Sequence, residues 1–138
     1  MEFRRISRAA ASRAALLQAF DAPGMLPVQA FAQLAGKSRQ QIYSDLKARR
    51  LLALSIGPRQ QRLPDWQLDA VKLRLTQLVL KTAAGSVDDW TLFRILSDPM
   101  DALNGRRPIK AVTPKSIGRV AELIGATLGL QERKRAAA

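Results

Sequence analysis

The sequence predicts a mainly α-helical fold that contains one short β-hairpin and ends in a helical domain. Three observations indicate this class. Apolar residues recur every three or four positions through most of the 138 residues, which is the period of a helix packed on one side. Only seven residues are aromatic, so the core must consist mainly of Leu, Ile, Val and Ala. Between residues 52 and 66 the period changes to the alternation that is typical of strands.

Three helices are predicted ahead of the hairpin. Residues 3–20 carry an apolar stripe among Ala residues, and a turn with Pro and Gly ends this helix. Pro27 starts a second helix whose apolar residues share one face, and Gly36 breaks it. Ser38 has the side chain of an N-cap and predicts a third helix that continues to about Arg50.

The hairpin is predicted from two short strands. Large and small residues alternate over 52–56, and a turn with Gly and Pro separates this strand from a second one within 60–66. Pro64 predicts that the second strand lies at an edge of the sheet, because proline donates no backbone hydrogen bond. Arg59 and Arg62 are expected near the tip of the hairpin.

The rest of the chain predicts helices around a segment rich in turns. Residues 66–83 form an apolar helical stripe. Ser86 and Asp89 have the spacing of a capping box for the next helix, and several turn dipeptides follow that helix. Thr113 predicts the N-cap of the last helix, which Gly129 closes before a frayed basic tail.

The formal net charge of +12 favours polyanionic partners. Residues 1–62 contain eleven Lys and Arg against three Asp and Glu, a net charge of +8. The chain has no Cys and no His, which argues against disulfides, zinc centres and imidazole acid–base catalysis. We therefore predict a protein that is not an enzyme, with no catalytic residue, metal or cofactor. No apolar run approaches the length of a membrane span.

Two short helices separated by the sequence AGKS, with a hairpin behind them, are typical of a winged helix-turn-helix. A helix fits the major groove of DNA, where Arg recognises guanine and Gln recognises adenine. The side chains predicted to read bases are Ser38, Arg39, Gln40, Gln41, Tyr43, Ser44 and Lys47. Those predicted to contact the DNA backbone or to lie in the wing are Lys37, Arg49, Arg50, Arg59 and Arg62.

Two other interpretations of this basic segment are open. A run of charge on a pair of helices is commonly a solvated face without a partner. RNA is a second polyanion, although single-stranded RNA is bound through stacked aromatic side chains, and these are few here.

The segment LAGKSRQQIYSDLKARRLLALSIGPRQQRLPDWQLD, residues 34–69, resembles the winged helix-turn-helix of phage excisionases and MerR-type regulators. That group has the pattern A-x-x-x-G-x-S-x-x-x-I/V-Y-x-x-I/L, then a basic G-R-L corner and a short hairpin. The corner here is Arg49-Arg50-Leu51, with Arg where the group often has Gly. The resemblance covers about residues 27–69 and implies DNA binding.

A second segment is similar to the C-terminal toxin-binding domain of the Xre/MbcA/ParS antitoxins. It has a Trp, then a Pro, then L-x-G-R-x-P-I, then a helix R-V-x-x-L-I. The matching residues are Trp90, Pro99, Leu103, Gly105, Arg106, Pro108, Val120, Leu123 and Ile124, of which the first six are the predicted partner-binding residues. Asn104 stands where the family usually has Gly, and Asn tolerates a positive φ. The resemblance covers about residues 66–130. It implies a helical domain that binds a toxin, often of the RES type that consumes NAD, and that often dimerises.

The sequence therefore predicts four regions. These are an N-terminal helix (1–26), a winged helix-turn-helix DNA-binding module (27–65), a helical dimerisation or partner-binding domain (66–130) and a basic flexible tail (131–138). The predicted function is sequence-specific transcriptional regulation by a homodimer that binds double-stranded DNA, with the role of antitoxin and autorepressor as a further expectation. A phage or plasmid architectural DNA-binding factor, and an antitoxin that acts by contact alone, are the alternatives.

The expected location is the bacterial cytoplasm, at the nucleoid. The first twenty residues are basic, rich in Ala and Ser and almost free of acids, as in a transit peptide. Their apolar positions belong equally well to an ordinary helix, so both interpretations of the N-terminus are open.

Overall fold

The computed structural model describes residues 13–57, 60–83 and 85–137, with side chains described as far as residue 129. These residues form a mainly helical structure with a small antiparallel sheet of three strands. The elements in chain order are α1 (13–20), β1 (Met25–Pro27), α2 (Val28–Ala35), α3 (Arg39–Lys47), β2 (Leu54–Ile56), β3 (Gln60–Pro64), α4 (Ala70–Ala83), α5 (Asp89–Ser97), α6 (Pro108–Ala111) and α7 (Ile117–Ala137). Short 3₁₀ helices at Asp65–Leu68 and Asp101–Leu103 precede α4 and α6. Within the described segments, no helix is both long enough and apolar enough to cross a membrane.

The predicted helix over residues 3–20 is confirmed for residues 13–20, and its earlier part lies outside the described residues. The start of α3 follows directly from its sequence. Ser38 Oγ accepts from Gln41 N–H at 3.1 Å, and Gln41 Oε1 accepts from Ser38 N–H at 2.8 Å. The predicted N-cap is confirmed, and the reciprocal pair completes a capping box.

The connection between α2 and α3 is a turn of residues 36–38. Gly36 ends α2 in the left-handed conformation, with a φ of 68°. A residue without a Cβ adopts this conformation at little steric cost, so Gly36 ends α2 directly after its last turn. The Gly36 break and the capped start at Ser38 therefore place two helices close together in sequence.

Strand β3 lies in the middle of the sheet, between β1 and β2. The prediction that the second hairpin strand lies at an edge is therefore wrong. Pro64 pairs with Met25 at the end of the strand, and the N–H of Asp65 donates to Gly24 O at 2.8 Å. By the alternation of an antiparallel ladder, the nitrogen of Pro64 then points away from β1, and β2 does not extend far enough to face it. The missing N–H thus costs no ladder hydrogen bond.

The sheet separates two hydrophobic clusters. On one side Leu63 packs with Phe31 of α2 and Ile42 of α3. On the other side Leu54 packs with Phe20 of α1. Leu54 and Leu63 face opposite ways because Leu54 pairs with the residue next to Leu63, and neighbouring residues of a strand alternate between faces. A larger cluster lies among α4, α5, α6 and α7.

The front and back halves of the chain share core side chains. Leu52, between α3 and β2, is 1% exposed and belongs to the large cluster of the back half. Trp66 stacks on Phe93 of α5 with ring centroids 5.4 Å apart. Phe93 and Trp90 also pack against the cluster that joins α1 to the sheet. Apolar contacts therefore cross the predicted boundary at residue 65.

The predicted capping box at the start of α5 is wrong. The helix begins at Asp89, after Asp88 at the N-cap position. Ser86 Oγ donates to Ala83 O at 2.6 Å, at the end of the preceding helix. The carboxylate of Asp89 binds Arg49 at 2.8 Å. Both members of the expected box are thus used in other interactions.

Helix α7 starts later and ends later than predicted. Thr113 N–H donates to Ser116 Oγ at 2.8 Å and closes a turn ahead of the helix, which starts at Ile117. The helix passes Gly129 and continues to Ala137, so the predicted end at Gly129 is wrong, and the flexible tail over 131–138 stays a prediction. The continuation has a local cause, because Leu, Gln, Glu, Arg, Lys and Ala are all strong helix formers.

Candidate nucleic-acid interface

The outward face of α3 carries polar side chains that have no partner among the described residues. Ile42 is fully buried and anchors the helix on the cluster of α2. Residues three and four positions apart share a face of a helix. One surface is therefore formed by Arg39, Gln40, Tyr43, Ser44 and Lys47, which we call the α3 polar face. All five residues are exposed, and none of their side chains hydrogen-bonds or ion-pairs with another described residue.

Two of the predicted base-reading residues have roles inside the protein. Ser38 Oγ and Gln41 Oε1 accept the backbone hydrogen bonds of the capping box. Gln41 also lies on the flank of α3 that carries Asp45, one helical turn later, and not on the α3 polar face. The structure therefore brings five of the seven predicted residues together and uses the other two to hold the start of the helix.

Asp45 organises the cations on the opposite flank of α3. Its carboxylate accepts from Lys37 Nζ at 2.9 Å and from Arg50 Nε at 3.2 Å, and its side chain is 15% exposed. Lys37 and Arg50 are themselves exposed, so an anion can approach both. Lys37 and Arg50, both predicted to contact the DNA backbone, lie just before and just after α3, and the Asp45 carboxylate restrains both side chains.

The corner after α3 is formed by Arg49 in the left-handed conformation, with a φ of 61°. Its Nη1 donates to Asp89 Oδ1 at 2.8 Å, and its Nε is buried without a hydrogen-bond partner among the described residues. Predicted as a DNA backbone contact, Arg49 lies between the end of α3 and the start of α5. Its ion pair ties the helix that carries the polar face to the back half.

Glycine at position 49 is expected to give a more stable protein than alanine at the same position. Arg49→Gly and Arg49→Ala both lose the ion pair with Asp89, but only alanine carries a Cβ in the left-handed region. The difference in unfolding free energy should be about 1 kcal/mol in favour of glycine, measured by urea unfolding. Ala48→Gly is the matched control. Ala48 has a φ of −81°, which suits any residue, so glycine at this position should lower the unfolding free energy. Equal stability of the two variants at position 49 would contradict the strain argument.

A groove of about 440 Å³ lies between α3 and the hairpin. Arg39 and Tyr43 line it from α3, and Gln60–Arg62 line it from β3. The remaining lining residues come from the end of α1, the end of β1 and the start of α2, and they are Phe20, Asp21, Pro27, Val28 and Gln29. Arg62 Cζ lies 4.8 Å from the centroid of the Phe20 ring, a cation–π contact that holds the guanidinium at the groove.

The two arginines of the predicted wing have different outcomes. Arg62 lies within β3, paired with Leu54 on one side and Pro27 on the other, and not near the tip as predicted. Arg59 lies outside the described residues. The structure thus makes Arg62 a wall of the groove beside α3.

Sequence reasoning missed several groove residues: Phe20, Asp21, Gln29, Gln60 and Gln61. Only Phe20 could have been found from the sequence, because it is the last apolar residue of the first helical stripe and was therefore expected to pack against another element. Gln60 and Gln61 belong to β3, which pairs with β1 far away in sequence, and a non-local pairing of this kind leaves no local pattern. Asp21 adds a carboxylate to a lining that is otherwise neutral or cationic.

The residues predicted to bind a partner in the back half line two grooves and part of the core. Trp90 and Pro99 line a groove of about 440 Å³. Leu103 and Arg106 line a separate groove of about 330 Å³. Pro108 is buried at the first position of α6, where its missing N–H is harmless. The matching positions are therefore divided between two grooves and the core.

Gly105 belongs to a closed turn between α5 and α6. Met100 N–H donates to Arg106 O at 3.1 Å, and Gly105 N–H donates to Met100 O at 3.0 Å. Asn104 and Gly105 are both left-handed, with φ values of 58° and 79°. The expectation that Asn104 tolerates a positive φ is confirmed. Turn geometry by itself explains why Asn and Gly occupy these positions.

No protein-family model, curated protein or solved structure matches the chain. The function must therefore be inferred from the α3 polar face, from the groove beside it and from the distribution of charge.

Proposed function

We propose that the protein is a sequence-specific, DNA-binding transcriptional regulator built on a winged helix-turn-helix. In this proposal α2, residues 36–38 and α3 are the helix-turn-helix, and β2 with β3 is the wing. A turn of three or four residues that often contains Gly is typical of the motif. Here Gly36 supplies that residue in the left-handed conformation. Helix α3 is then the recognition helix, which lies in the major groove.

The observation that carries the proposal is the unpartnered α3 polar face. Arg39 offers a fork of donors that matches guanine O6 and N7, and Gln40 offers the donor and acceptor that match adenine. Lys47 suits a phosphate or guanine. Side chains that serve the fold would be expected to bond to neighbours, as Gln41 and Asp45 do. Those of the polar face have no such bond to another described residue, which supports their use in binding a ligand.

The groove beside α3 supports the same proposal, because a guanidinium group lines each of its walls. Arg39 extends from the helix and Arg62 from β3. A sugar-phosphate strand along this groove is contacted by two elements at once. Lys37 and Arg50, near the ends of α3, add further cations. Contacts to phosphates fix the register of the protein on DNA, and base contacts supply the specificity.

We propose further that the regulator binds as a homodimer. A single short recognition helix contacts few base pairs, so one half-site gives little discrimination. Two copies that read two half-sites about one helical turn apart increase the discrimination and impose an inverted repeat on the operator.

The test is selection of binding sequences from a randomised duplex library by the purified full chain. The expected result is enrichment of two related half-sites in inverted orientation, and binding of this sequence at about 200 mM salt where mixed-sequence DNA is released. Enrichment of no sequence, with equal binding of all duplexes, would favour an architectural factor and contradict the proposal. No binding to any duplex at about 50 mM salt would contradict DNA binding altogether.

Toxin binding stays a prediction of the resemblance and is not part of this proposal. The positions that carry the resemblance are divided between two grooves and the core.

A further inference from the structure

The positive charge of the back half is concentrated in one segment. Residues 102–121 contain five Lys and Arg and no Asp or Glu. Residues 63–101 contain four Lys and Arg against six Asp and Glu, a net charge of −2. The surplus of the back half therefore does not follow from a generally basic composition. It originates in the segment that forms α6, the turn after it and the start of α7.

All five cations of this segment are exposed, and none forms an ion pair with a described residue. They are Arg106, Arg107, Lys110, Lys115 and Arg119, which we call the α6–α7 basic surface. This contrasts with α3 and α5, where Asp45 and Asp98 bind the neighbouring cations. The acids Asp101 and Glu122 border the segment but form no ion pair with these cations among the described residues. Five like charges between them raise the local potential and repel each other, and binding of a polyanion relieves that repulsion.

A groove of about 330 Å³ lies within this surface. Arg106 and Arg119 line it together with Asn104, above the apolar side chains of Leu103 and Val120. Arg106 Nε donates to Leu103 O at 3.2 Å, which fixes the guanidinium and leaves its terminal nitrogens for a ligand. Guanidinium and amide donors of this kind are the groups that contact phosphate oxygens in protein–DNA complexes.

We propose that the α6–α7 basic surface binds the phosphodiester backbone of double-stranded DNA, at a site separate from the α3 polar face. The spread of charge favours an extended polyanion over a small one. Arg107, Lys110 and Lys115 lie outside the lining of the groove, so a single phosphate in the groove leaves them unused. A nucleic-acid strand presents a charge at each nucleotide and can engage the whole surface.

The test compares two triple variants that each remove three positive charges. Lys110→Gln/Lys115→Gln/Arg119→Gln removes cations of the surface, and Lys72→Gln/Arg74→Gln/Lys81→Gln removes three from α4 as the matched control. Affinity for a labelled, mixed-sequence duplex is measured by fluorescence anisotropy at several salt concentrations. We expect the first variant to lower the slope of log affinity against log salt by up to about three units, and the control to leave it unchanged. Equal slopes for the two variants would overturn the proposal, with thermal unfolding used to check that both are folded.

A second experiment distinguishes failure of this proposal from failure of the proposal that α3 reads bases. Arg39→Ala/Lys47→Ala should lose preference for the selected sequence and keep salt-dependent binding of mixed-sequence DNA. Adding the surface triple variant should then lower that residual slope. If the surface triple variant binds DNA as the wild type does and loses binding of poly-glutamate alone, the surface serves an acidic protein and the proposal is wrong.

Discussion

The Gln67→Ala variant is expected to lose about 3 kcal/mol of unfolding free energy, a large part of the stability of a small domain. Gln67 is 3% exposed. Its Oε1 accepts from Leu52 N–H at 2.6 Å, and its Nε2 donates to Leu52 O at 2.9 Å and to Pro64 O at 3.3 Å. Truncation leaves the buried N–H and C=O of Leu52 without these partners and also removes the longer bond to Pro64 O, and each unpaired buried group costs about 1–3 kcal/mol. Urea unfolding followed by circular dichroism measures the loss.

Gln77→Ala is the matched control for this prediction. Gln77 Nε2 also donates to a backbone carbonyl of the same connection, Arg50 O at 3.2 Å, but at an exposed position. Water replaces that bond, so the variant should lose less than about 1 kcal/mol. Gln67→Leu separates the two causes, since it keeps most of the side-chain volume and removes the hydrogen bonds. A Gln67→Ala protein as stable as Gln77→Ala would show that the bonds to Leu52 contribute little.

The Arg39→Ala variant is expected to lose about 5- to 150-fold in preference for the selected sequence over a scrambled duplex. A bidentate arginine–guanine contact contributes about 1–3 kcal/mol of discrimination, which converts to that range. Arg39 starts the α3 polar face and also lines the groove, so in the proposed complex both α3 and β3 would meet DNA beside it. Competition binding with the selected and the scrambled duplex measures the ratio directly.

Two further substitutions make the prediction for Arg39 specific. Arg74→Ala removes the same charge from an exposed position on α4 and should leave the ratio unchanged. Arg62→Ala should weaken binding of both duplexes alike, because a backbone contact carries no sequence information. If Arg39→Ala also weakens both duplexes alike, then α3 does not read bases and contributes only charge.

The parts of the fold that the sequence predicts well are the local ones. Ser38 as an N-cap, Gly36 as a break and Asn104 at positive φ each depend on a few neighbouring residues. Strand β1 was not predicted, because Met25–Pro27 is short and ends in Pro, and it is a strand only through its pairing with β3. Because β1 pairs with β3, β3 lies in the middle of the sheet. The rule that proline favours an edge strand considers only Pro64 and its neighbours, so it could not predict this position.

In the candidate site too, local features could be predicted from the sequence and features that depend on distant residues could not. Exposure of the α3 polar face was predictable, since the helical period places Ile42 inside and the polar residues outside. The position of Arg49 was not, because its partner Asp89 is 40 residues away and had a plausible local role as a cap. Gln67 gave no signal at all, since one polar residue in an amphipathic stretch resembles any exposed glutamine until Leu52 is packed above it.

Leu52 enters the core of the back half, while Phe93 and Trp90 reach the cluster beneath the hairpin. The front half is therefore not expected to be stable when it is joined to another protein, because cutting the chain after residue 65 exposes apolar surface on both fragments. Point substitutions on the α3 polar face should disturb the fold less than an exchange of modules, because its side chains form no hydrogen bond or ion pair with another described residue. A chain made by recombining whole modules would need new side chains to fill the core that the two halves share.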